Sequence, residues 1–480
     1  MNRVFISAAH KSSGKTTVCV GICAALRARG HIVQPFKKGP DYIDPLWLGL
    51  AAGRPCYNLD AYLMGENEIR DELARRSRGA DLAVIEGNKG LYDGLNLDGS
   101  NSNAALAALI GSPVILVIDA RGMTRGIAPL ILGYQAFDSN IRIAGVILNQ
   151  LGGTRHEAKL RSVIEHYTNV PVLGAIQRDE RITINERHLG LVPSNEAQAA
   201  GARIDEIAAR VASQVDLDRL LALARQAAPL PAPSPVPVTS TVDGPSVSIG
   251  IARDAAFGFY YPGDIDALAA AGAELVSFDT LHSTVLPPVD GIFIGGGFPE
   301  THMDALSANR QLHRQLHVAI EAGMPVYAEC GGLMYLARSI EWNGRSAAMV
   351  GAIPADIVMH SRPVGRGYVE LRETGRGLWP LAGAAGTPRI RAHEFHYSSV
   401  ENLPPAIEFA YDVERGYGID GRHDGLIYKN LLASYSHLRD VGGHRWAARF
   451  VEFVRCCKFS RQARGDLAKD ALIESVRADV

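Results

Sequence analysis

No Cys-x-x-Cys pair occurs in this 480-residue sequence, and its six cysteines (Cys19, Cys23, Cys56, Cys330, Cys456, Cys457) are widely scattered. Such spacing suggests neither a zinc site nor a disulfide framework. Charge of either sign is not in excess: the formal net value is −2, so no basic field argues for a nucleic-acid partner. No apolar run approaches the roughly 18 residues that would span a bilayer. The first strand-like run, Val4-Phe5-Ile6, has no charged leader and apolar stretch before it. Together these absences point to a cytoplasmic, reducing compartment, with no membrane and no nucleic acid as partner. Monomer and homodimer are both left open.

The length exceeds what one ordinary core accommodates, so two or three domains are expected. A hydrophobic content of 47% with 49 glycines suits an α/β protein. The alternating prolines of Ala228-Pro229-Leu230-Pro231-Ala232-Pro233-Ser234-Pro235-Val236-Pro237 favour an extended polyproline II linker. Before it, β-branched runs at 3–8, 32–36, 82–86, 114–119, 143–148 and 172–176 alternate with helical stretches, the first at 16–29. After it the signal restarts at 247–252, 273–278, 291–294 and 325–329, with helices near 262–271 and 307–321. Alternation of this kind predicts parallel sheets covered by helices on both faces. The fold class expected is therefore α/β, with two doubly wound parallel-sheet domains. The expected division is 1–228, a linker at 229–246, a second domain at 247–458 and a charged tail at 459–480. Segment 345–435 reads as more β-rich and irregular.

Two strand-to-helix corners carry chemistry. The first is Ala9-His10-Lys11-Ser12-Ser13-Gly14-Lys15-Thr16-Thr17, which follows the first strand and opens the first helix. This is the context of a phosphate-binding loop, although Ala9 stands where the strict pattern has Gly. Loop amides and the helix dipole would hold phosphate oxygens. Ser12, Ser13, Gly14, Lys15, Thr16 and Thr17 are the candidate nucleotide contacts, with Lys15 on the β/γ-phosphates and Thr16 on Mg²⁺. Acidic clusters follow the next two strands, at Lys37-Lys38-Gly39-Pro40-Asp41-Tyr42-Ile43-Asp44-Pro45 and Glu86-Gly87-Asn88-Lys89-Gly90-Leu91-Tyr92-Asp93-Gly94. Open α/β sheets bind ligands at these strand ends. Asp41 and Glu86 are the expected Mg²⁺ ligands beside Thr16. Asp44, Lys89, Tyr92 and Asp93 are candidates for touching a second substrate. Turn residues that satisfy their own backbone are the competing explanation for the Asp positions.

The second corner is Pro325-Val326-Tyr327-Ala328-Glu329-Cys330-Gly331-Gly332, an apolar run that breaks into paired glycines. It has the form of a nucleophile elbow with Cys330 at its tip. A helix N-terminus favours thiolate, and turn amides can stabilise an oxyanion. Ile294-Gly295-Gly296-Gly297-Phe298 follows another strand, so Gly296, Gly297 and Gly331 are the candidate oxyanion donors. The candidate base is His437, in Ser434-Tyr435-Ser436-His437, with His393 and His396 as rivals.

Taken as a set, Ser13-Gly14-Lys15-Thr16-Thr17, Lys38-Gly39-Pro40-Asp41-Tyr42-Ile43-Asp44-Pro45, Glu86-Gly87 with Gly90-Leu91-Tyr92-Asp93-Gly94, Gly145-Val146-Ile147-Leu148-Asn149, Arg187-His188-Leu189-Gly190-Leu191, Gly295-Gly296-Gly297-Phe298-Pro299-Glu300, Ala328-Glu329-Cys330-Gly331-Gly332 and Glu394-Phe395-His396-Tyr397-Ser398 resemble the cobyrinic acid a,c-diamide synthase family. The resemblance covers most of residues 1–458. It implies a synthetase domain similar to dethiobiotin synthetase joined to a class I glutamine amidotransferase domain. It also implies glutamine hydrolysis at Cys330 through a thioester with His437 as base, and internal delivery of ammonia. ATP with Mg²⁺ would phosphorylate a peripheral carboxylate of a tetrapyrrole, and ammonia would displace the phosphate. That is an ATP-dependent carbon–nitrogen ligase with glutamine as amide donor.

Departures from the family pattern keep siblings open. Arg439 stands two residues after His437, where many amidotransferases have an acid. Asn88-Lys89 replaces a pair that is similar to Val-Met in typical members, and Ser434-Tyr435-Ser436 is also unusual. Lys89 could pair with a tetrapyrrole carboxylate. An amidase for sirohydrochlorin or sirohaem is therefore an alternative, and the cobyric acid synthase type a further one. A non-catalytic P-loop scaffold ATPase is disfavoured by Cys330, His437 and the lack of Lys at position 10.

Overall fold

The computed structural model describes residues 1–182, 184, 186–187, 190–196, 199–233, 245–379 and 389–461. Residues 234–244 of the Pro-rich stretch, His188 and Leu189, and 462–480 of the tail lie outside them. The chain divides into two compact units, Met1–Pro235 and Val236–Val480.

The first unit is built on β1 (Arg3–Ala8), β2 (Val33–Lys38), β3 (Tyr57–Leu59), β4 (Leu82–Glu86), β5 (Val114–Asp119), β6 (Ile143–Leu151) and β7 (Val172–Gln177). All seven are parallel, in the order β3-β2-β4-β1-β5-β6-β7. Runs such as Arg3–Ala8 and Val114–Asp119 are buried along their whole length, as expected of strands covered on both faces. The reversal of strand order at β1 places the loop after β1 at a topological switch point, where such sheets bind ligands. Helix α1 (Lys15–Ala28) leaves that loop and buries Val18, Cys19, Ile22 and Leu26. Gly21 lets it close on the helix Ala200–Gln214, since a Cβ there would stand 2.3 Å from Val211. A two-stranded pair, β8 (Glu186–Arg187) and β9 (Gly190–Leu191), follows the sheet. Ala228 closes the unit, its N–H on the Gly111 carbonyl and its own carbonyl on the Arg3 guanidinium.

The second unit opens with β10 (Val247–Ala252), β11 (Phe257–Phe259), β12 (Ala273–Phe278), β13 (Gly291–Ile294), β14 (Gly296–Gly297) and β15 (Val326–Glu329). Then come β16 (Ser339–Trp342), β17 (Arg345–Ala348), β18 (Asp356–Met359), β19 (Gly365–Glu373), β20 (Ile390–His396), β21 (Ser398–Glu401), β22 (Glu408–Arg415), β23 (His423–Tyr428) and β24 (Leu431–Ser434). The main sheet runs β12-β10-β13-β15-β24-β23-β22-β19-β20. Its first five strands are parallel, four of them where the sequence places strands, with β24 as the fifth. From β24 onward it continues antiparallel, which is the β-rich character of 345–435. Strands β16, β17, β18 and β21 form a separate four-stranded sheet. Residues 446–461 are helical and bury Trp446, Phe450 and Val454 against Phe293 and Tyr327. Burying each such large side chain contributes about 1.5–3 kcal/mol. All six cysteines are free thiols.

Candidate active site

Each unit carries a candidate site among its described residues, in both cases at a corner between a parallel strand and a helix.

In the first unit the loop after β1 turns through Ser12 (φ 63°) and Gly14 (φ 81°) into α1. A side chain at Gly14 would meet Asn149 Nδ2 at 2.2 Å, and that amide instead donates to the Ser13 carbonyl at 2.9 Å. Ser13 Oγ donates to the His10 carbonyl at 2.7 Å, so this hydroxyl braces the loop. Lys15 is buried and donates to the Lys89 carbonyl at 2.8 Å. Burial, then the neighbouring Lys37, lower its proton affinity. Thr16 Oγ1 lies 2.7 Å from Glu86 Oε1 and 3.2 Å from Asp44 Oδ2.

The second carboxylate at Thr16 is therefore Asp44, which the sequence assigns to substrate. Asp41, expected as the metal ligand, uses Oδ1 to accept the amides of Ile43 and Asp44 at 3.0 and 3.1 Å. It caps helix α2 (Ile43–Ala52), and its Oδ2 lies 3.7 Å from Lys37 Nζ. Lys37, which the sequence reading gave no role, sits among Asp41, Asp44 and Glu86, with Glu86 at 3.0 Å. Burial opposes its charge, but the three carboxylates outweigh burial and raise its pKa well above the usual value. Asp41 titrates near 7, because of burial and the nearby Asp44 charge. Asp44 stays below the usual range: burial alone would raise it, but Lys37 prevails.

The oxygens here fit a divalent cation. Glu86 Oε2 is buried without a hydrogen-bond partner, and the Glu86 and Asp44 carboxylates converge on the Thr16 hydroxyl. Hard oxygen donors of this kind suit Mg²⁺, which takes few protein ligands and fills its sphere with phosphate oxygens and water.

The loop after β4 is pinned by Asn103, whose amide donates to the Asn88 and Gly90 carbonyls. Lys89 is exposed, at φ 39°, and its backbone rather than its ammonium holds Lys15. Asp93 accepts the Gly90 amide at 2.9 Å, a turn-closing role. Tyr92 donates to the Tyr134 carbonyl at 2.6 Å and packs on the Tyr134 ring. Asn88, next to Lys89, faces Lys38: the two side chains are 3.4 Å apart, and Lys38 donates to the Asn101 carbonyl at 2.7 Å. Burial brings the Lys38 pKa down to about 8.

In the second unit Cys330 has φ 47°, a conformation costly for a residue with a Cβ and the mark of a strained elbow. Its N–H donates to the Ser434 carbonyl at 2.7 Å, and the helix Gly331–Leu336 starts directly after it. The corner is packed so closely that only glycine fits. A Cβ on Gly331 would lie 2.9 Å from the Gly297 amide nitrogen, and one on Gly332 would lie 2.2 Å from the Ile294 carbonyl. Gly296 faces His437, whose Cε1 would be 2.8 Å from an added Cβ. The three glycines expected to serve an oxyanion thus border the thiol and the imidazole.

His437 is 3% exposed. Burial disfavours its protonation, but hydrogen bonds to the side chains of Cys330 and Glu329, and their charges, raise its pKa to about 10. Of the rivals, His393 stacks on His437 with ring centroids 4.9 Å apart. Burial and then His437 itself keep it neutral by lowering its pKa well below 6.5. His396 stacks on Tyr435 and lies 3.5 Å from Glu394, among groups that brace β20. A thiol next to an imidazole that holds its proton can form a thiolate–imidazolium pair, ready to attack an acyl carbon.

The comparisons with known proteins bear on both corners. Residues 5–192 match the model of the CobQ/CobB/MinD/ParA nucleotide binding domain, and residues 248–440 that of the CobB/CobQ-like glutamine amidotransferase domain. A cobyrinate a,c-diamide synthase of Magnetococcus marinus is 48% identical over 457 residues, covering 94% of this chain and 97% of that protein. The chain belongs to the cobyrinate a,c-diamide synthase family. Further members carrying that description, from Methanosarcina acetivorans and Archaeoglobus fulgidus, are 43% and 39% identical. The first covers 96% of this chain and the second 94%, each over 97% of its own length. The near-full-length likeness to proteins described as synthases does not favour the scaffold reading.

Proposed function

We infer that the chain is a glutamine-dependent, ATP-dependent carbon–nitrogen ligase that amidates the a and c side-chain carboxylates of a cobyrinate-type tetrapyrrole. The observation that carries the reading is the pairing, in one chain, of an elbow thiol beside a protonatable imidazole with a phosphate-binding loop that faces an unpartnered carboxylate oxygen. Near-full-length identity to cobyrinate a,c-diamide synthases supports the acceptor. Those relatives do not favour the sirohydrochlorin or sirohaem alternative.

Cys330 attacks the side-chain amide of glutamine, with His437 taking the thiol proton and returning it to the departing ammonia. Gly296, Gly297 and Gly331 donate backbone N–H groups to the oxyanion. Water then releases glutamate from the thioester. In the first unit Ser12, Ser13, Gly14, Lys15, Thr16 and Thr17 receive ATP. Thr16, Glu86 and Asp44 would hold Mg²⁺, with Asp41 nearby, and the ion would neutralise charge on the phosphate oxygens. Lys37 keeps Asp44 and Glu86 from repelling one another. Phosphorylating the acceptor carboxylate replaces a poor leaving group with phosphate, which ammonia displaces. Tyr92 and Asp93 border the acceptor, and the exposed Lys89 ammonium suits a peripheral carboxylate.

The test is incubation with glutamine, Mg·ATP and, separately, cobyrinic acid, hydrogenobyrinic acid, sirohydrochlorin and sirohaem, read by mass. The reading expects two carboxyl-to-amide exchanges on a cobyrinate-type acceptor. Amidation of sirohaem alone would replace the acceptor assignment, and no amidation of any would overturn the reaction.

A further inference from the structure

The base needs something to hold it, and the usual position for that group, two residues beyond His437, is taken by Arg439. Arg439 is buried and lies over the Tyr261 ring, 4.5 Å from its centroid. A cation there cannot orient an imidazole that must carry positive charge. The carboxylate at His437 comes from elsewhere. Glu329, the residue before Cys330 and the last of β15, is 3% exposed. Its Oε2 lies 3.3 Å from His437 Nδ1. Its Oε1 accepts the Leu438 amide at 3.0 Å and the Tyr327 hydroxyl at 2.5 Å. One carboxylate thus holds the ring, the backbone just after it and its own strand. On the other face of His437 the stacked His393 is neutral, so Glu329 is the anion beside the ring.

We propose that Glu329 is the positioning residue of the thiol site: it fixes His437 with the proton on Nδ1, leaving Nε2 to take the proton of Cys330. This rests on the reading that Cys330 attacks glutamine. The acid that orients the base is the last residue of β15, and the nucleophile is the residue directly after it. The strained φ at Cys330 turns the sulfur out of the strand while Glu329 stays in it. The thiol proton passes from Sγ to Nε2, and Glu329 takes none.

Glu329→Gln keeps the shape and reverses the hydrogen-bond logic. Leu438 and Tyr327 both donate to Oε1, so the amide oxygen belongs there and the NH₂ group faces His437 Nδ1. That forces the proton onto Nε2, which then cannot accept from Cys330. In the full chain, E329Q should lower glutaminase kcat by about 10²–10⁴-fold, with KM for glutamine unchanged. The alkaline limb of kcat/KM, set by the His437 proton near pH 10, should move to lower pH, because a neutral amide no longer stabilises the imidazolium. Ammonia-supported amidation should persist, and E329D, which keeps the carboxylate, should retain more kcat than E329Q.

Glutaminase in E329Q equal to wild type, or E329D no better than E329Q, overturns the proposal. Equal loss of ammonia-supported amidation overturns it in favour of a structural role. C330A separates the two claims. Glutaminase that survives in C330A overturns the reading of the site itself. Loss in C330A with full activity in E329Q removes only Glu329.

Discussion

The two units place their chemistry at the same kind of corner and fill it in opposite ways. After β1 the chain uses a glycine at φ 81° to turn into α1 and set Lys15 against the Lys89 carbonyl, at the loop we propose for phosphate. After β15 it forces a cysteine to φ 47° and walls it with glycines. The first corner is charge-rich: Lys15 and Lys37 face Asp41, Asp44 and Glu86. The second is sparse, with one carboxylate, one protonatable imidazole and one thiol. The contrast follows the tasks. A triphosphate and a divalent cation need many compensating charges, whereas a thiolate needs a single well-placed proton acceptor. A strand-to-helix corner fixes where chemistry occurs, and the buried charges around it decide which chemistry that is.

If the corners are separate machines, disabling one leaves the other running. Lys15→Ala should abolish ATP-dependent amidation, by at least ~10³-fold, while glutaminase without ATP stays close to wild type. Equal loss of both activities would break the comparison. Gly296→Ala should be the converse at smaller scale: its Cβ would press on His437, lowering glutaminase by about 10²-fold and sparing ammonia-supported amidation. Loss of ammonia-supported amidation in that variant would contradict it.

The gentlest probe is pH. Asp41 titrates near 7 in the folded state, above the ordinary carboxylate value, so the folded form binds a proton that the unfolded form has released. Its contribution to stability is present at low pH and declines as pH rises from about 4 to 7. Without nucleotide, the first unit's melting temperature should fall across that window, and Asp41→Asn should flatten the slope. An unchanged slope would show that Asp41 is not strained by its neighbours.

Much of this was legible in residue order because both corners are local: a strand, a turn of small residues and a helix within ten positions. The parallel strands around them were legible for the same reason. The β2 ladder was not delimited well; it runs to Lys38, two residues past the predicted end, because Lys37 and Lys38 are buried with polar partners. The exchange of roles between Asp41 and Asp44 was hidden by their shared motif. Asp41 precedes a helix by two residues, the spacing of a cap, and that signal could have separated them. Glu329 was missed because its partner lies 108 residues away. The clue was a carboxylate closing the apolar run Val326-Tyr327-Ala328, a burial that requires a dedicated partner.

The central claim is that the thiol corner only supplies nitrogen and the phosphate corner only activates the acceptor. Cys330→Ala, given Mg·ATP and cobyrinic acid, tests it most directly when glutamine is compared with ammonium chloride as nitrogen source. The account predicts no amide from glutamine and wild-type-like amide formation from ammonia. Amide formation from glutamine, or none from either source, would contradict it.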